Sequence, residues 1–426
     1  MMVSPARRAA FKSLYGNHYE LNCSNDRDRK LAENIVYGVL QNERLLDACL
    51  SEFVQSSLRR LNPKVLIILR MSAYQLLFLD RVPSSAVVND AVSICKEEKM
   101  AFAAGFINAV LRRFAAQRET LLKKSRKPAI QYSHPDWITE RLVRDFGEEQ
   151  TRLYLAENQK PFFLCLQVNT LRISLDDFCR LLEDNGTEIH SVNRFFSSVE
   201  IDSTDVSSLP GFREGYFYVQ DDAAKAAALL AEPKSGRFVL DACAAPGGKS
   251  IVLAVAGARV LACDSKEVRL KRCDENFARL GLKIETLVSD ARSFRPEWKE
   301  RFDAVLADVP CTGSGIIRKH PEIRRKTEAE LYQLLEIQKD ILSALSCYVK
   351  AGGLLVYSTC SVLTEEDEKQ IELFLCSHPD FRKEQFETDC FDCSNGTLRS
   401  WPHIHHRDGF FAAKLRKADP IRNTDF

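Results

Sequence analysis

The sequence contains no long hydrophobic run and little glycine or proline. Its unbroken apolar stretches, such as Val65–Leu69, are far shorter than the roughly 20 apolar residues that a membrane-spanning helix needs. Arg7, Arg8 and Lys12 leave no room near the N-terminus for the apolar core of a signal peptide. With 18 glycines and 15 prolines among 426 residues, collagen-like and low-complexity sequences are excluded. We therefore expect a soluble, cytoplasmic protein without a membrane segment.

The composition is that of a globular protein with several domains. Hydrophobic residues make up 45% of the chain and charged residues 28%, which excludes general disorder. At roughly 100–200 residues per domain, the length of the chain predicts two to four domains. The 14 cysteines are expected to be reduced thiols, since nothing in the sequence indicates export.

The net charge of +1 hides an uneven distribution of charge. Residues 1–128 contain 21 basic and 12 acidic side chains, whereas the remaining residues contain 39 basic and 47 acidic side chains. A basic first third beside an acidic remainder indicates that the first third contacts a polyanion.

Helical periodicity dominates the first third of the sequence. Asn62-Pro63 is a helix-start signal, and apolar residues follow it at helical spacing over Lys64–Leu79. We therefore predict an all-α N-terminal domain over residues 1–125. Residues 126–215 are predicted to be a linker followed by a small α+β module, with helices over Asp136–Phe146 and Ser174–Asn185 and strands over Phe162–Val168 and Ser198–Ile201.

Short apolar runs alternate with helical stretches from Arg237 onward. This alternation predicts a Rossmann-like α/β domain over residues 216–420, with a doubly wound, mostly parallel sheet. Ligands of such sheets bind at the carboxyl ends of the strands. The predicted strands are Phe238–Ala242, Arg259–Cys263, Ile284–Val288, Ala304–Ala307 and Leu354–Tyr357.

The first motif, D-A-C-A-A-P-G-G-K over residues 241–249, connects a strand to a helix and is typical of a loop that approaches a ligand closely. Gly248-Lys249-Ser250 matches the end of a phosphate-binding Walker A loop, but Cys243 occupies the position of its first glycine. The G-x-G-x-x-G fingerprint of dinucleotide-binding proteins is absent. S-adenosylmethionine, which has no phosphates, is the cofactor that remains.

Acidic residues at the ends of the next strands support this choice of cofactor. Asp264 is placed to accept hydrogen bonds from the ribose hydroxyls, and Asp290 from the adenine amino group. The residues expected at the cofactor site are Cys243, Ala244, Ala245, Pro246, Gly247, Gly248, Lys249, Asp264, Asp290 and Asp308.

Two further motifs place thiols at the same predicted edge of the sheet. Cys311 lies in D-V-P-C-T-G-S-G after the fourth strand, and Cys360 lies in Y-S-T-C-S after the fifth. A thiolate that adds to carbon 6 of a pyrimidine makes carbon 5 nucleophilic towards a methyl donor. Asp308 is placed to contact ring nitrogen 3 and the amino group of a cytosine. These residues do not decide which thiol attacks.

These motifs resemble those of the Nop2/Sun family of RNA 5-methylcytosine methyltransferases. In addition, R-M-S-A-Y-Q-L-L-F-L at 70–79 and G-F-I-N-A-V-L-R-R at 105–113 resemble the NusB-like RNA-binding domain that bacterial 16S rRNA cytosine methyltransferases carry. The resemblance implies S-adenosylmethionine as cofactor and 16S rRNA as substrate. It also implies Cys360 as nucleophile, Cys311 as the thiol that assists release, and no metal. We expect a monomer.

The same motifs leave other interpretations open. Another RNA such as tRNA or large-subunit rRNA is a possible substrate, and a non-catalytic RNA-binding factor would keep the same fold. Methylation of a base amino group needs an Asp/Asn-Pro-Pro-aromatic loop, which Asp308–Cys311 does not provide. Cys390 and Cys393, followed by His403, His405 and His406, have part of a zinc-site spacing, but we expect no metal there. The basic residues Arg318, Lys319, Arg324, Arg325 and Lys326 are predicted to be a phosphate track.

Overall fold

A computed structural model of the chain describes residues 3–16, 21, 23, 25–203, 205–388 and 390–419. It divides the chain into two compact units. The helical unit contains Met1–Gln159 and His320–Arg325, and the sheet unit contains Lys160–Lys319 and Lys326–Phe426. None of the described helices is long and apolar enough to cross a membrane.

The first part of the helical unit confirms the predicted all-α architecture. Asn62 caps the third helix by accepting a hydrogen bond from the backbone N–H of Lys64, with Pro63 at the first helical position. Ile35, Leu46 and Phe114 are fully buried in one core that these helices share. The helices are α1 Pro5–Gly16, α2 Asp26–Leu50, α3 Pro63–Phe78, α4 Ser84–Glu97, α5 Ala104–Ala116, α6 Arg118–Lys123, α7 Pro128–Gln131 and α8 Asp136–Glu157.

The helix predicted over Asp136–Phe146 is only the first part of α8. Gly147, at φ 83° and ψ 166°, interrupts the helix directly after Phe146, and a second helical segment continues to Glu157. Glycine adopts this backbone conformation without the steric cost that a Cβ brings.

The middle of the chain forms a small antiparallel sheet in the order β2-β3-β1-β4 with one helix, as the α+β prediction required. Phe178, Val199 and Phe217 are fully buried in its core. The elements are β1 Leu164–Val168, α9 Leu175–Asp184, β2 Ile189–Asn193, β3 Ser198–Ile201 and β4 Phe217–Val219.

The large sheet of the sheet unit has the order β11-β12-β13-β9-β8-β5-β6-β7, and β10 pairs with β13. Strands β9, β8, β5, β6 and β7 are parallel, as predicted, whereas β10 to β13 form an antiparallel extension that the sequence analysis did not predict. The strands are β5 Phe238–Asp241, β6 Arg259–Asp264, β7 Glu285–Val288, β8 Phe302–Asp308, β9 Val349–Thr359, β10 Phe381–Lys383, β11 Asp392–Ser394, β12 Thr397–Ser400 and β13 Phe410–Lys417.

Helices join the parallel strands and cover the sheet. The register pairs Asp241 of β5 with Ala262 of β6, and Asp308 of β8 with Ser358 of β9. The carboxyl ends of these strands therefore lie along one edge, where the predicted site residues are located. The helices are α10 Asp222–Leu229, α11 Gly248–Val255, α12 Glu267–Leu280, α13 Glu328–Ser346, α14 Glu368–Ser377 and α15 Pro402–His405.

Candidate active site

The loop between β5 and α11 passes close to its neighbours at two glycines. Gly247 has a φ of +103°, and a Cβ there would lie 2.8 Å from the Phe277 ring. A Cβ at Gly248 would lie 2.9 Å from the side-chain nitrogen of Gln220. Both glycines are therefore needed for the close packing of this loop against Phe277 and Gln220, and the loop leads directly into the N-terminus of α11.

The remaining residues of this loop are held against β6. The backbone N–H of Ala244 donates to the carbonyl of Cys263 at 2.7 Å, and the Ala245–Pro246 peptide bond is cis. Burial raises the pKa of the Cys243 thiol. The predicted cofactor loop thus lies beside the end of β6, where Asp264 is located.

Asp241 has an oxygen without a partner next to this loop. Its side chain is fully buried, and Oδ2 accepts a hydrogen bond from the Ser250 hydroxyl at 2.6 Å. Oδ1 has no hydrogen-bond partner among the described residues. Burial raises the pKa of Asp241 to about 7. Since buried acceptors are normally satisfied, Oδ1 fits a donor group of the bound cofactor.

Asp264 ends β6 as predicted and is almost completely buried. Oδ1 accepts from the backbone N–H of Lys266 at 3.1 Å, and Oδ2 lies 3.2 Å from the guanidinium of Arg269. The same guanidinium donates to the carbonyl of Ala245 at 2.9 Å. Arg269, which the sequence analysis did not single out, therefore connects the predicted ribose acceptor to the cofactor loop.

Asp290 lies two residues beyond the end of β7 and is half-exposed. Its carboxylate forms an ion pair with Arg292 at 2.6 Å, and hydrogen bonds from this guanidinium lower the pKa of Asp290. The adjacent Ser289 N–H donates to the carbonyl of Asp264 at 3.0 Å, which brings both acidic residues to one edge of the sheet.

Lys249 and Asp308 contact one another directly. The ammonium of Lys249 lies 2.7 Å from Asp308 Oδ2 and 4.9 Å from the centre of the Phe410 ring. Asp308 Oδ1 accepts from the Ser358 hydroxyl at 2.8 Å. Lys249, which was predicted at the cofactor, is thus oriented towards the carboxylate that was predicted to contact the base.

The two predicted thiols meet at the ends of neighbouring parallel strands. Cys311 follows β8, Cys360 follows β9, and their sulfur atoms lie 3.3 Å apart. A hydrogen bond with Cys360, together with burial, raises the pKa of Cys311 well above its usual value. The structure therefore brings Asp308, Cys311 and Cys360 together with the cofactor loop, as the motifs predicted.

Backbone contacts hold the loops that carry the thiols side by side. Gly315 donates its N–H to the carbonyl of Cys360, and Gly409 donates its N–H to the carbonyl of Gly315, each at 2.9 Å. A Cβ at Gly315 would overlap the carbonyl oxygen of Gly409. Glycine at position 315 is therefore required for this close approach.

The predicted phosphate track is wrong for two of its residues, Lys319 and Arg324. Lys319 lies between Asp221 and Asp408, with ammonium–carboxylate distances of 3.2 and 2.8 Å. Arg324 is buried in the helical unit, where it donates to the carbonyl of Asn158. These two side chains satisfy internal groups, and burial removes them from contact with a polyanion.

Arg325 and Lys326 also have partners within the protein. Arg325 is exposed but forms an ion pair with Glu43 at 2.6 Å, and Lys326 donates to the carbonyl of Cys311 at 3.2 Å. The clustering of positive charge in the sequence gave no sign of these partners, because they are distant along the chain.

No group of three or more His, Cys, Asp or Glu side chains arranged to hold a metal ion occurs in the part of the chain that the structure describes. Near Cys390 and Cys393, His405 instead accepts from the backbone N–H of Trp401 and lies 3.6 Å from Asp392.

The glycine loop, the unsatisfied oxygen of Asp241 and the acidic strand ends on a Rossmann-like sheet define an S-adenosylmethionine-dependent methyltransferase. Three family descriptions match the chain: the NusB family over residues 4–116, a ferredoxin-like domain of RsmF/B-like methyltransferases over 134–207, and "16S rRNA methyltransferase RsmB/F" over 228–416.

Curated relatives match nearly the whole chain. Ribosomal RNA small subunit methyltransferase B of Klebsiella pneumoniae is 35% identical over 92% of this chain and 91% of its own length. The protein of the same name from Escherichia coli O7:K1 is 34% identical over the same shares of both chains. The chain therefore belongs to the RsmB/F family of 16S rRNA methyltransferases, which confirms the predicted resemblance and cofactor.

Solved structures agree with this assignment at the level of the fold. The crystal structure of PH0851 is 27% identical and covers 98% of this chain and 99% of its own, with a TM-score of 0.82. NSun6 from Pyrococcus horikoshii, solved with SFG, is 22% identical and covers 67% of this chain and 98% of its own, with a TM-score of 0.61.

Proposed function

We propose that this enzyme methylates carbon 5 of a specific cytosine in 16S rRNA, with Cys360 as the nucleophile and Cys311 as the thiol that assists release. The observation that carries this proposal is the 3.3 Å separation of the two sulfur atoms at the edge that also holds the cofactor loop. Methylation of a base amino group would use no thiol, so it would not explain why two cysteines lie together at this edge.

The first step is addition of the Cys360 thiolate to carbon 6 of the cytosine. The carbon–sulfur bond forms as the electron pair of the 5,6 double bond shifts to carbon 5, where it is delocalised through carbon 4 onto ring nitrogen 3, and carbon 5 becomes nucleophilic. Asp308 would contact ring nitrogen 3 and the amino group. Its bonds from Lys249 and Ser358 fix the orientation of the carboxyl group for that role.

S-adenosylmethionine supplies an electrophilic methyl group on a sulfonium sulfur. The loop over residues 243–249, together with Asp264 and Asp290, would hold it. Asp264 would accept hydrogen bonds from the ribose hydroxyls, and Asp290 would accept one from the adenine amino group. Each carboxylate would then bind the ligand as well as its arginine, Arg269 for Asp264 and Arg292 for Asp290.

Release requires that carbon 5 lose its proton, so that the electron pair restores the double bond and the Cys360 thiolate leaves. We assign this assistance to Cys311. The sulfur of Cys311 lies 3.3 Å from that of Cys360 and is therefore next to the adduct, where as a thiolate it would take the proton from carbon 5 and become a thiol. The choice of Cys360 rather than Cys311 as the attacking group follows from the resemblance of the two motifs to the Nop2/Sun family.

We further propose three domains, over residues 1–125, 126–215 and 216–420, with RNA binding by the first. We also propose a cytoplasmic monomer. Light scattering behind size exclusion would test the monomer. A dimer mass at micromolar concentration would contradict it.

Mapping of 5-methylcytosine across the RNA of cells with and without this enzyme tests the proposed substrate. We expect one cytosine of 16S rRNA to lose its methyl group in the deletion strain and to regain it on complementation with the wild-type chain. Complementation with Cys360→Ala is the matched control and should restore nothing. Loss of methylation only in tRNA or 23S rRNA would contradict the proposed substrate.

A further inference from the structure

A buried carboxylate joins the two loops that carry the thiols. Glu366 is fully buried, and its Oε1 accepts from the backbone N–H of Thr312 at 2.8 Å. Its other oxygen, Oε2, accepts from the Thr312 hydroxyl. Because Thr312 directly follows Cys311, Glu366 holds both polar donors of the residue next to that thiol.

Gln338 on α13 holds the other side of Cys311. Its amide nitrogen donates to Glu366 Oε1 at 3.0 Å and to the carbonyl of Pro310 at 2.9 Å. Pro310 directly precedes Cys311. The residues on both sides of Cys311 are therefore tied, directly or through one amide, to the same carboxylate.

Glu366 is also fixed relative to Cys360. The Tyr357 hydroxyl, three residues before Cys360, donates to the backbone carbonyl of Glu366 at 2.6 Å. The Ser361 hydroxyl, directly after Cys360, bonds to the carboxylate. Glu366 thus bonds directly to Thr312, Tyr357 and Ser361, and through Gln338 it is connected to the residue before Cys311.

We propose that Glu366 is a positioning residue that sets the separation of the two thiols and thereby permits release of methylated RNA. This rests on the roles proposed above for Cys360 and Cys311. Addition and methyl transfer need only the Cys360 thiolate, whereas release needs Cys311 within reach of carbon 5. A displacement of about 1 Å is enough to slow a step roughly 100-fold.

A role in stability alone would give a different pattern. Loss of folded protein lowers adduct formation and turnover in the same proportion. Loss of positioning lowers turnover while the covalent adduct still forms. The ratio of adduct formation to turnover therefore distinguishes a positioning role from a role in stability.

Oxidation of the free enzyme measures the separation of the thiols without RNA or cofactor. Diamide takes two electrons and two protons from a thiol pair, which becomes a disulfide as diamide becomes a hydrazine. Trypsin places Cys311 in the peptide Phe302–Arg318 and Cys360 in Ala351–Lys369, so mass spectrometry follows the cross-linked pair.

We expect Glu366→Ala to slow formation of this cross-link at least about 10-fold relative to wild type, because the loop of Cys311 loses its anchor. Glu366→Gln should stay within about 2-fold, because its amide oxygen still accepts and the hydroxyls of Thr312 and Ser361 can accept from its amide nitrogen. An unchanged rate for Glu366→Ala would overturn the proposal.

The second measurement uses RNA and S-adenosylmethionine on a denaturing gel. Glu366→Ala should accumulate the covalent adduct while kcat falls about 10- to 100-fold. Glu330→Ala is the matched control, because it removes the capping box of α13 without touching either loop. It should not accumulate adduct.

If Glu366→Ala does not fold, Thr312→Val and Gln338→Leu take its place, because each removes one bond to the carboxylate. In both variants the adduct should still form while turnover falls, by a smaller factor than for Glu366→Ala. Proportional loss of adduct and turnover would overturn the positioning role. Wild-type enzyme that forms no adduct, but shows the expected oxidation rates, would contradict the proposed function and leave the positioning role intact.

Discussion

The carboxylate of Asp264 bonds to the backbone N–H of Lys266 and to Arg269, and we propose that it also binds the ribose of the cofactor. We expect Asp264→Ala to weaken S-adenosylmethionine binding roughly 10- to 150-fold, since a hydrogen bond to a charged group contributes about 1.5–3 kcal/mol. Calorimetric titration measures this. The control is Asp274→Ala on α12, because Asp274 bonds only to Thr286 among the contacts of the described residues. An unchanged dissociation constant for Asp264→Ala would contradict the assigned ribose contact.

Asp241 gives the free enzyme a defined pH dependence. Because burial raises its pKa to about 7, the folded state holds a proton that the unfolded state has lost above its ordinary pKa of 3.8. The stability from this proton is complete below about pH 4 and disappears as the pH rises through about 7. We expect the unfolding free energy of wild type relative to Asp241→Asn to fall between pH 5 and 8. A constant difference would contradict the raised pKa.

The sequence predicted most site residues at this scale, because each is part of a short motif. Asp308, Cys311 and Cys360 lie together as expected. Glu366 was missed, since an acidic residue in T-E-E-D is usually a solvated helix start. Its burial depends on Gln338 and Thr312, which lie far away along the chain.

At the scale of elements, the close pairing of Gly315 with Gly409 holds the catalytic loop against β13. Gly315→Ala forces a Cβ into a backbone carbonyl, so we expect a loss of at least about 1–3 kcal/mol in stability together with loss of turnover. Gly105→Ala, where a Cβ meets nothing within 4 Å, is the control and should be neutral or slightly stabilising. Chemical denaturation of both variants measures this. Equal unfolding free energies for Gly315→Ala and Gly105→Ala would contradict the close approach of Gly315 to the carbonyl of Gly409.

Helices and strands with a clear pattern in their own sequence were predicted, whereas strands that depend on distant pairing were not. Strand β3 was predicted with the correct bounds, and the end of a helix at Phe146 coincides with the interruption at Gly147. Strands β10 to β13 were missed, because antiparallel pairing with β9 is a long-range property and F-F-A-A-K-L-R-K at 410–417 alternates apolar and polar residues only in its second half.

At the scale of the whole molecule, the charge distribution predicts salt-dependent binding of RNA. The logarithm of affinity should fall linearly with the logarithm of salt concentration, and Arg112→Ala should reduce the slope by about 1 if this exposed arginine meets a phosphate. Lys319→Met should instead lower stability by about 3–5 kcal/mol and leave the slope unchanged, because Lys319 is enclosed by two carboxylates. Equal slopes for wild type and Arg112→Ala would exclude this contact.

The distribution of basic residues also shows where sequence reasoning stops. Composition located the basic first third, but it could not separate charges that face solvent from charges that neutralise a buried partner. Lys319 and Arg324 belong to the second kind, and only their three-dimensional neighbours reveal it.

The most direct test of the account compares the two cysteines on a denaturing gel with RNA and S-adenosylmethionine. Cys360→Ala should form no covalent RNA adduct and should keep its cofactor affinity. Cys311→Ala should form the adduct, transfer the methyl group and remain bound to the methylated RNA. A shifted band for Cys360→Ala and none for Cys311→Ala would contradict the account and exchange the two roles.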